Sequence, residues 1–244
     1  MDRIEIRPGV YVTNYYALWL ERERAAIIGD LHIGMEAAMV EEEGISAPRV
    51  QEDVIIKRLS AIFREFSPET LVINGDFKHK FSRNLWQEWE EVNRILDFIC
   101  DHVRRVVVIR GNHDNYLKTI LAKRGIDLHS RYSIGDYTVI HGHRDVGMER
   151  DMVLAHEHPV VKIRDGIGAY IKLPCFLYND ERNIIVLPAL SPLSIGTDIM
   201  AEGYLSPILS RIDMSGARIY ALSEIGILSL GKIRDMERAM LYMP

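Results

Sequence analysis

The sequence predicts an α/β protein made of two stacked, mixed β-sheets flanked by helices, and three observations carry that prediction. The first half alternates short apolar runs with amphipathic segments in a β-α-β-α-β-α rhythm, the pattern of a crossover-built, largely parallel sheet. The second half holds more strand-like runs than helical ones, which calls for a second sheet packed on the first. Hydrophobic residues make up 48% of the 244 and charged residues 27%. That is ordinary globular composition in a chain long enough for a substantial core.

The elements follow in order. "RIEIRP", "VYVTN" and "ALWLE" read as short strands of an antiparallel meander. "RAAII", bounded by "GD", suits a strand buried on both faces. From Ala47 to Phe66, Val50, Val54, Ile55, Leu59, Ile62, Phe63 and Phe66 recur at helical spacing, and "SP" closes the helix. "TLVIN" is the next buried strand. "LWQEWEEVNRILDFICDHV" is a second amphipathic helix, "RVVVIR" a strand, and "YLKTILAKRG" a shorter helix stopping at Gly125. "YSIGDYTVIHGH" is a hairpin with a Gly-Asp turn. "PVVKIRDG", "AYIKLPCFLYND" and "NIIVLPAL" are strands, and "RIYALSEIGILSL" is a closing hairpin. No repeat or Gly/Ser linker interrupts the chain, so residues 1–244 read as one domain.

Composition removes several function classes. A net charge of -5 argues against the broad basic face of a non-specific duplex binder, though not against a local basic groove. Cys100 and Cys175 are the only cysteines, which disfavours a disulfide framework or a thiolate zinc site. No apolar run is long enough to span a membrane and the amino terminus has no apolar signal core, so the expected setting is cytoplasmic.

The chemistry sits at the strand ends. "AAIIGDLHIG" ends with Asp30 and His32, "LVINGDFKHK" with Asn74, Gly75 and Asp76, and "VVVIRGNHD" with Asn112, His113 and Asp114. "YTVIHGH" ends with His141 and His143, and "VLAHEHP" carries His156 and His158. Any one of these is an ordinary turn or loop taken alone. Five in succession place carboxylate, imidazole and amide groups where open α/β sheets bind ligands, beyond the carboxyl ends of strands.

Carboxylate oxygen, imidazole and one amide oxygen suit a borderline divalent cation such as manganese, zinc or iron. Asp30, His32, Asp76, Asn112, His141, His156 and His158 are too many for one four-coordinate metal. They suit two metals that share a carboxylate, at about 3.5–4 Å separation.

These motifs resemble those of the calcineurin-like metallophosphoesterases: Asp-x-His, Gly-Asp, Gly-Asn-His-Asp, a lone His and Gly-His-x-His, here "DLH", "GD", "GNHD", "HGH" and "AHEH", in that order from Asp30 to His158. Ala155 stands where the pattern has Gly. The resemblance implies a four-layer αββα sandwich and two divalent metals, manganese foremost. It implies Asp30, His32 and His158 on one metal, Asn112, His141 and His156 on the other, and Asp76 bridging. It implies in-line attack by a metal-bridging hydroxide, with His113 protonating the leaving group and Asp114 orienting His113.

"GDLHIG", "GDFKH" and a late "LPAL" are similar to a narrower set, archaeal phosphoesterases and bacterial ligase-associated relatives, themselves related to a double-strand-break repair nuclease. That likeness implies a nucleic-acid or nucleotide phosphodiester substrate, DNA or RNA, and DNA-repair proteins as partners. Residues after about Ser191 carry no motif that bears on function.

Substrate contacts are expected from His79, His143 and Arg144, and Lys78, His79, Lys80 and Arg83 suggest a basic rim. His102, His129 and the helix around Trp86 and Trp89 read as structural, and "EEEG" at Glu41 as a solvated helix face. Two rival readings stand beside the phosphodiesterase: a phosphomonoesterase acting on a small metabolite, and a metal-stabilised scaffold for protein binding. The presence of His113 and all seven candidate ligands favours an enzyme over the scaffold.

Overall fold

The computed structural model describes residues 2–43, 50–79, 86–147, 150–164, 170–201 and 203–241. Strands β1 (Arg3–Arg7), β2 (Val10–Thr13), β3 (Leu18–Leu20) and β4 (Ala25–Ile28) form the antiparallel meander expected of the opening segments. From β4 onward the neighbours are parallel: β5 (Thr70–Asn74), β6 (Arg105–Ile109) and the short β7 (Leu128–His129) complete a seven-stranded mixed sheet in sequential order. The crossovers carry helices α1 (Met35–Glu43), α2 (Gln51–Phe66), α3 (Trp86–His102) and α4 (Leu117–Ala122).

The second sheet has nine strands. β8 (Tyr132–Ile134) and β9 (Tyr137–Val139) make the expected hairpin, followed by β10 (Met152–Leu154), β11 (Pro159–Arg164), β12 (Tyr170–Asn179), β13 (Ile184–Val186), β14 (Thr197–Asp198), β15 (Arg218–Ser223) and β16 (Gly226–Lys232). Its order is β14-β11-β12-β13-β10-β9-β8, with β15 pairing to β12 and to β16. Helix α5 (Ile233–Leu241) closes the described chain.

Alternation along the strands builds the layers. In β5, Val72 points between the sheets, where it meets Val107, Val139, Val153, Phe176 and Ile185. Its neighbours Leu71 and Ile73 point outward, onto Ile55, Leu59 and Ile62 of α2 and Val92, Ile95 and Ile99 of α3. Each such fully buried side chain contributes roughly 1.5–3 kcal/mol of transfer free energy. The outer face of the second sheet packs Leu154, Cys175 and Leu177 against Ile208, Leu209, Met214 and Ile233.

Boundaries differ from the pattern in places with clear causes. Helix α2 begins at Gln51; the start of the predicted span, up to Arg49, lies outside the described residues. It ends as expected at Ser67, which takes a left-handed φ of 43° before Pro68. β13 stops at Val186 rather than running through "LPAL", because Pro188 has no N–H to donate to a ladder. Neither α5 nor β14 stood out in the sequence.

Candidate metal centre

β4, β5 and β6 are parallel, so their exit loops leave the first sheet at one edge. In the facing sheet β9 and β10 are also parallel. The five loops are tied directly to one another. His32 donates its N–H to the Asp76 carbonyl at 2.9 Å, and Ala155 donates to the His141 carbonyl at 3.0 Å. Two carboxylates also accept backbone bonds across loops: His113 N–H to Asp76 Oδ1 at 2.9 Å and His156 N–H to Asp30 Oδ2 at 3.0 Å.

This knitting brings all seven predicted ligands together. Ligand atoms of Asp30, His32, Asp76 and His158 lie within 4.8 Å of one another, and those of Asp76, His141 and His156 form a second such group. Asp76 belongs to both. Asn112 joins the second group, its Oδ1 3.2 Å from His141 Nε2. Asp30 is wholly buried and Asp76 and His141 nearly so.

The backbone is bent to make this possible. Asp30, His32, Asp76, His156 and His158 all take positive φ, between 44° and 66°. For residues with a Cβ that conformation costs about 1–3 kcal/mol each and persists only where surrounding contacts impose it. Gly75, at φ 78°, has a second constraint: a Cβ there would collide with the His141 ring.

Two imidazoles are aimed by their far nitrogens. His141 donates Nδ1–H to the Asn74 carbonyl at 3.1 Å, and His158 Nδ1 meets Ser194 Oγ at 3.0 Å. Both rings therefore present Nε2 to the cluster, as metal-binding histidines do. His141 Nε2 lies 3.3 Å from Asp76 Oδ2, and His158 Nε2 lies 3.2 Å from Asp30 Oδ1 and 3.4 Å from His32 Nε2. Sequence reasoning missed Ser194. A lone Ser in a Pro-rich loop gives no signal.

Charges are arranged as a cation site requires. Burial alone would push the Asp30 and Asp76 carboxyls up, yet His158 and His141 beside Asp30, and His141 beside Asp76, hold both below the usual carboxylate range. Burial works against a charged His141, but Asp76 and Asp30 raise it to about 9. His158 is raised too, because Asp30 outweighs its burial. Burial takes His32 down to about 3 and His156 to about 4, helped by neighbouring imidazoles. At neutral pH the ring proton of His141, with His158 shifted in the same direction, offsets carboxylate charge, and the neutral rings of His32 and His156 offer lone pairs. Asp30 Oδ1 is buried and makes no well-directed hydrogen bond. Such a carboxylate oxygen demands a positive partner. The donor set thus fits two divalent cations.

His113 lies at the mouth, partly exposed, with Nε2 4.0 Å from Asp76 Oδ2. Its orientation differs from expectation. Among the described residues, Asp114 spends its oxygens on the backbone: Gly111 N–H at 2.7 Å, Phe77 N–H at 2.9 Å and Lys78 N–H at 3.3 Å. The His113 ring instead donates Nδ1–H to the His79 carbonyl at 2.6 Å. Asp114 ties the β5 and β6 loops together.

The basic rim is also revised. Lys78 is fully buried and paired with Glu88 at 3.1 Å, so it cannot meet substrate. Lys80 and Arg83 lie outside the described residues. His79 stacks on His113, the ring centroids 5.5 Å apart. His143 and exposed Arg144 line a cavity of about 270 Å³ with Arg110, Ser130 and His141. Another cavity, of about 350 Å³, lies at the opposite end of β6 beside Arg105 and Val106, away from this cluster.

A family model described as calcineurin-like phosphoesterase matches residues 23–198. The chain belongs to the calcineurin-like phosphoesterases. The matched stretch takes in every strand-end loop of the cluster. No curated protein matches this calcineurin-like phosphoesterase by sequence at a significant level. Among solved structures, it is similar to the nuclease MPE of Pseudomonas putida, at 23% identity and a TM-score of 0.69, over 94% of this chain and 99% of that one. It is also similar to Yfce, a phosphoesterase from E. coli, at 15% identity and a TM-score of 0.40, over 86% and 93% of the two chains. The first likeness shows the same fold of two mixed sheets flanked by helices.

Proposed function

We propose that this calcineurin-like phosphoesterase is a dinuclear metal-dependent phosphodiesterase acting on nucleic acid or nucleotides. The observation that carries the reading is the placement of Asp76 in both ligand groups, with His32 and His158 on one side and His141 and His156 on the other. In this reading Asp30, His32 and His158 hold one cation, Asn112, His141 and His156 hold the second, and Asp76 bridges. Oxygen and imidazole donors together suit manganese, with zinc and iron as its competitors.

Bound there, two divalent cations would lower the pKa of water and offset charge on the phosphoryl oxygens. The chain's own residues do the rest. His113 faces the cluster through Nε2 while its Nδ1–H is held by the His79 carbonyl, so Nε2 is placed to pass a proton to the departing oxygen. As the P–O bond breaks, that proton moves from His113 to the leaving alcohol and the ring becomes neutral. Asp114 holds the loops that carry Asp76 and His113 at fixed separation. Arg144 and Arg110 line the adjoining cavity and supply positive charge for a neighbouring phosphate, and His143 beside them, its pKa taken down to about 4 by burial, offers a neutral imidazole. That cavity, and the nuclease that shares this fold, favour a polymeric diester over a small monoester.

The test is a panel of bis(p-nitrophenyl) phosphate, p-nitrophenyl phosphate, single-stranded and duplex DNA, RNA and cyclic nucleotides, each with manganese, zinc and iron. Diester cleavage that exceeds monoester cleavage and is abolished by chelation is expected. Faster monoester turnover would favour the metabolite phosphatase, and no turnover of any ester by metal-loaded protein would favour the scaffold.

A further inference from the structure

We propose that Glu88, reaching in from α3, is a positioning residue for His113 and acts through buried Lys78 and the backbone of His79. This rests on the reading that His113 protonates the leaving group. Glu88 Oε2 lies 3.1 Å from Lys78 Nζ, with the two side chains 2% and 0% exposed. Its other oxygen, Oε1, accepts the His79 N–H at 3.1 Å, a hydrogen shared with the Ile33 carbonyl at 2.9 Å. The carbonyl of that same residue receives His113 Nδ1–H at 2.6 Å. Residue 79 is therefore gripped at its N–H by Glu88 and grips His113 with its C=O.

The approach of α3 is built for this contact. Gly34, at φ 87°, lies against Glu88, and a Cβ at that position would stand 2.7 Å from Glu88 Cγ and 2.8 Å from its Cβ. Only glycine lets the carboxylate come in so close above the loop after β4. Stability gives little reason for the arrangement. A buried ion pair loses to desolvation most of what its attraction gains, and an apolar pair of the same volume is often as stable or more so. An apolar pair could not hold the His79 N–H. What the charged pair adds is a fixed acceptor, with Lys78 holding the carboxylate in place at 3.1 Å.

The experiment compares Lys78→Met/Glu88→Leu, which removes both charges without leaving either unpaired, with Lys78→Met/Glu88→Gln, whose amide oxygen can still accept from His79. His113→Ala is run beside them, and metal content is measured for all. Two manganese-supported substrates are used: an oligonucleotide, whose alcohol leaving group needs a proton, and bis(p-nitrophenyl) phosphate, whose nitrophenolate departs without one. For Lys78→Met/Glu88→Leu the expected result is normal metal content, at least a ten-fold lower kcat on the oligonucleotide, and less than two-fold change on the chromogenic ester. Lys78→Met/Glu88→Gln should recover most of the loss, and neither pair should lower the rate further in a His113→Ala background. In metal-free protein, the NMR signal of the His113 Nδ1–H should broaden or vanish in the Leu variant and return in the Gln variant. If His113→Ala discriminates between the two esters and Lys78→Met/Glu88→Leu does not, or if the Nδ1–H signal is unchanged, the inference is overturned while the leaving-group reading stands. If His113→Ala treats both esters alike, the leaving-group reading falls and the inference with it.

Discussion

Removing the metals should make the protein's stability fall as pH rises from about 6.5 to 9, and Asp76→Asn should flatten that fall. His141 has a folded-state pKa raised from 6.5 to about 9 by Asp76 and Asp30. A histidine raised in this way contributes stability that is fully present below its unfolded value and lost as pH climbs through its folded value. At about 1.4 kcal/mol per pH unit, the gap corresponds to a contribution on the order of 3 kcal/mol. His158 is raised too and acts in the same direction. The other perturbed groups of the cluster act elsewhere: His32 near 3, His156 and His143 near 4, and Asp114, lifted to about 6 by burial, all change charge below the window. Between about pH 7.5 and 8.5 the slope is therefore set chiefly by His141 and His158; nearer 6.5 the unfolded chain's other histidines still titrate, and above 8.5 the Cys175 thiol, pushed up by burial, adds to the fall in the parent and in Asp76→Asn alike. Chelator-treated protein should be unfolded in urea at pH 6.5, 7.5, 8.5 and 9.5, beside Asp76→Asn. Because a cation must displace these protons, metal binding at pH 7 should also release about one to two of them, and calorimetry in buffers of different ionisation enthalpy reads that number. Stability that stays level or rises across the window, or an Asp76→Asn protein that falls as steeply as the parent, would refute the electrostatic argument.

Other outcomes follow from the same geometry. His113→Ala should keep its metals and lose roughly 10²–10⁴-fold in oligonucleotide turnover; metal analysis beside steady-state kinetics checks both halves. Ser194→Ala removes the hydroxyl at 3.0 Å from His158 Nδ1, and should weaken binding of one metal equivalent by about 10–100-fold in competition with a chelating dye. Arg144→Ala should lower kcat/KM on single-stranded oligonucleotides and reduce the salt slope by about 0.7 for each phosphate that the variant no longer neutralises.

Much of this candidate site could be read from the sequence because its candidate ligands are encoded locally. "DLH", "GNHD" and "AHEH" each follow an apolar run, and the parallel order of β4, β5 and β6 needs only short strands separated by helices. The supports were not legible for the same reason in reverse. Ser194 and Glu88 act on residues 36 and 9 positions away through contacts that no periodicity marks. Lys78 looks like a surface lysine until α3 is seen to cover it. Asp114, adjacent to His113, invited an orienting role, but its oxygens accept from backbone N–H groups and His113 Nδ1–H goes to the His79 carbonyl. Helix α5 is nine residues with four charges; Ile233, Met236, Met240 and Leu241 do recur at helical spacing, so its stripe was present in the sequence and its shortness hid it.

The arrangement of protons and strain explains how one edge of two sheets can be both a folded core and a cation site. Five of the seven candidate ligands stand on left-handed backbone, and their carboxylates are among the most deeply buried polar groups of the described chain. Neither feature stabilises the fold. Both become tolerable because the loops are cross-braced by backbone bonds to Asp30, Asp76 and Asp114, so the strain is imposed by the scaffold. Among the described residues both oxygens of Asp114 accept from backbone N–H groups, whereas Asp30 and Asp76 each give one oxygen to the backbone and turn the other toward imidazoles. The division is physical: a carboxylate with both oxygens bonded to backbone is structural, and one with an oxygen left facing histidine nitrogens can exchange their protons for a metal.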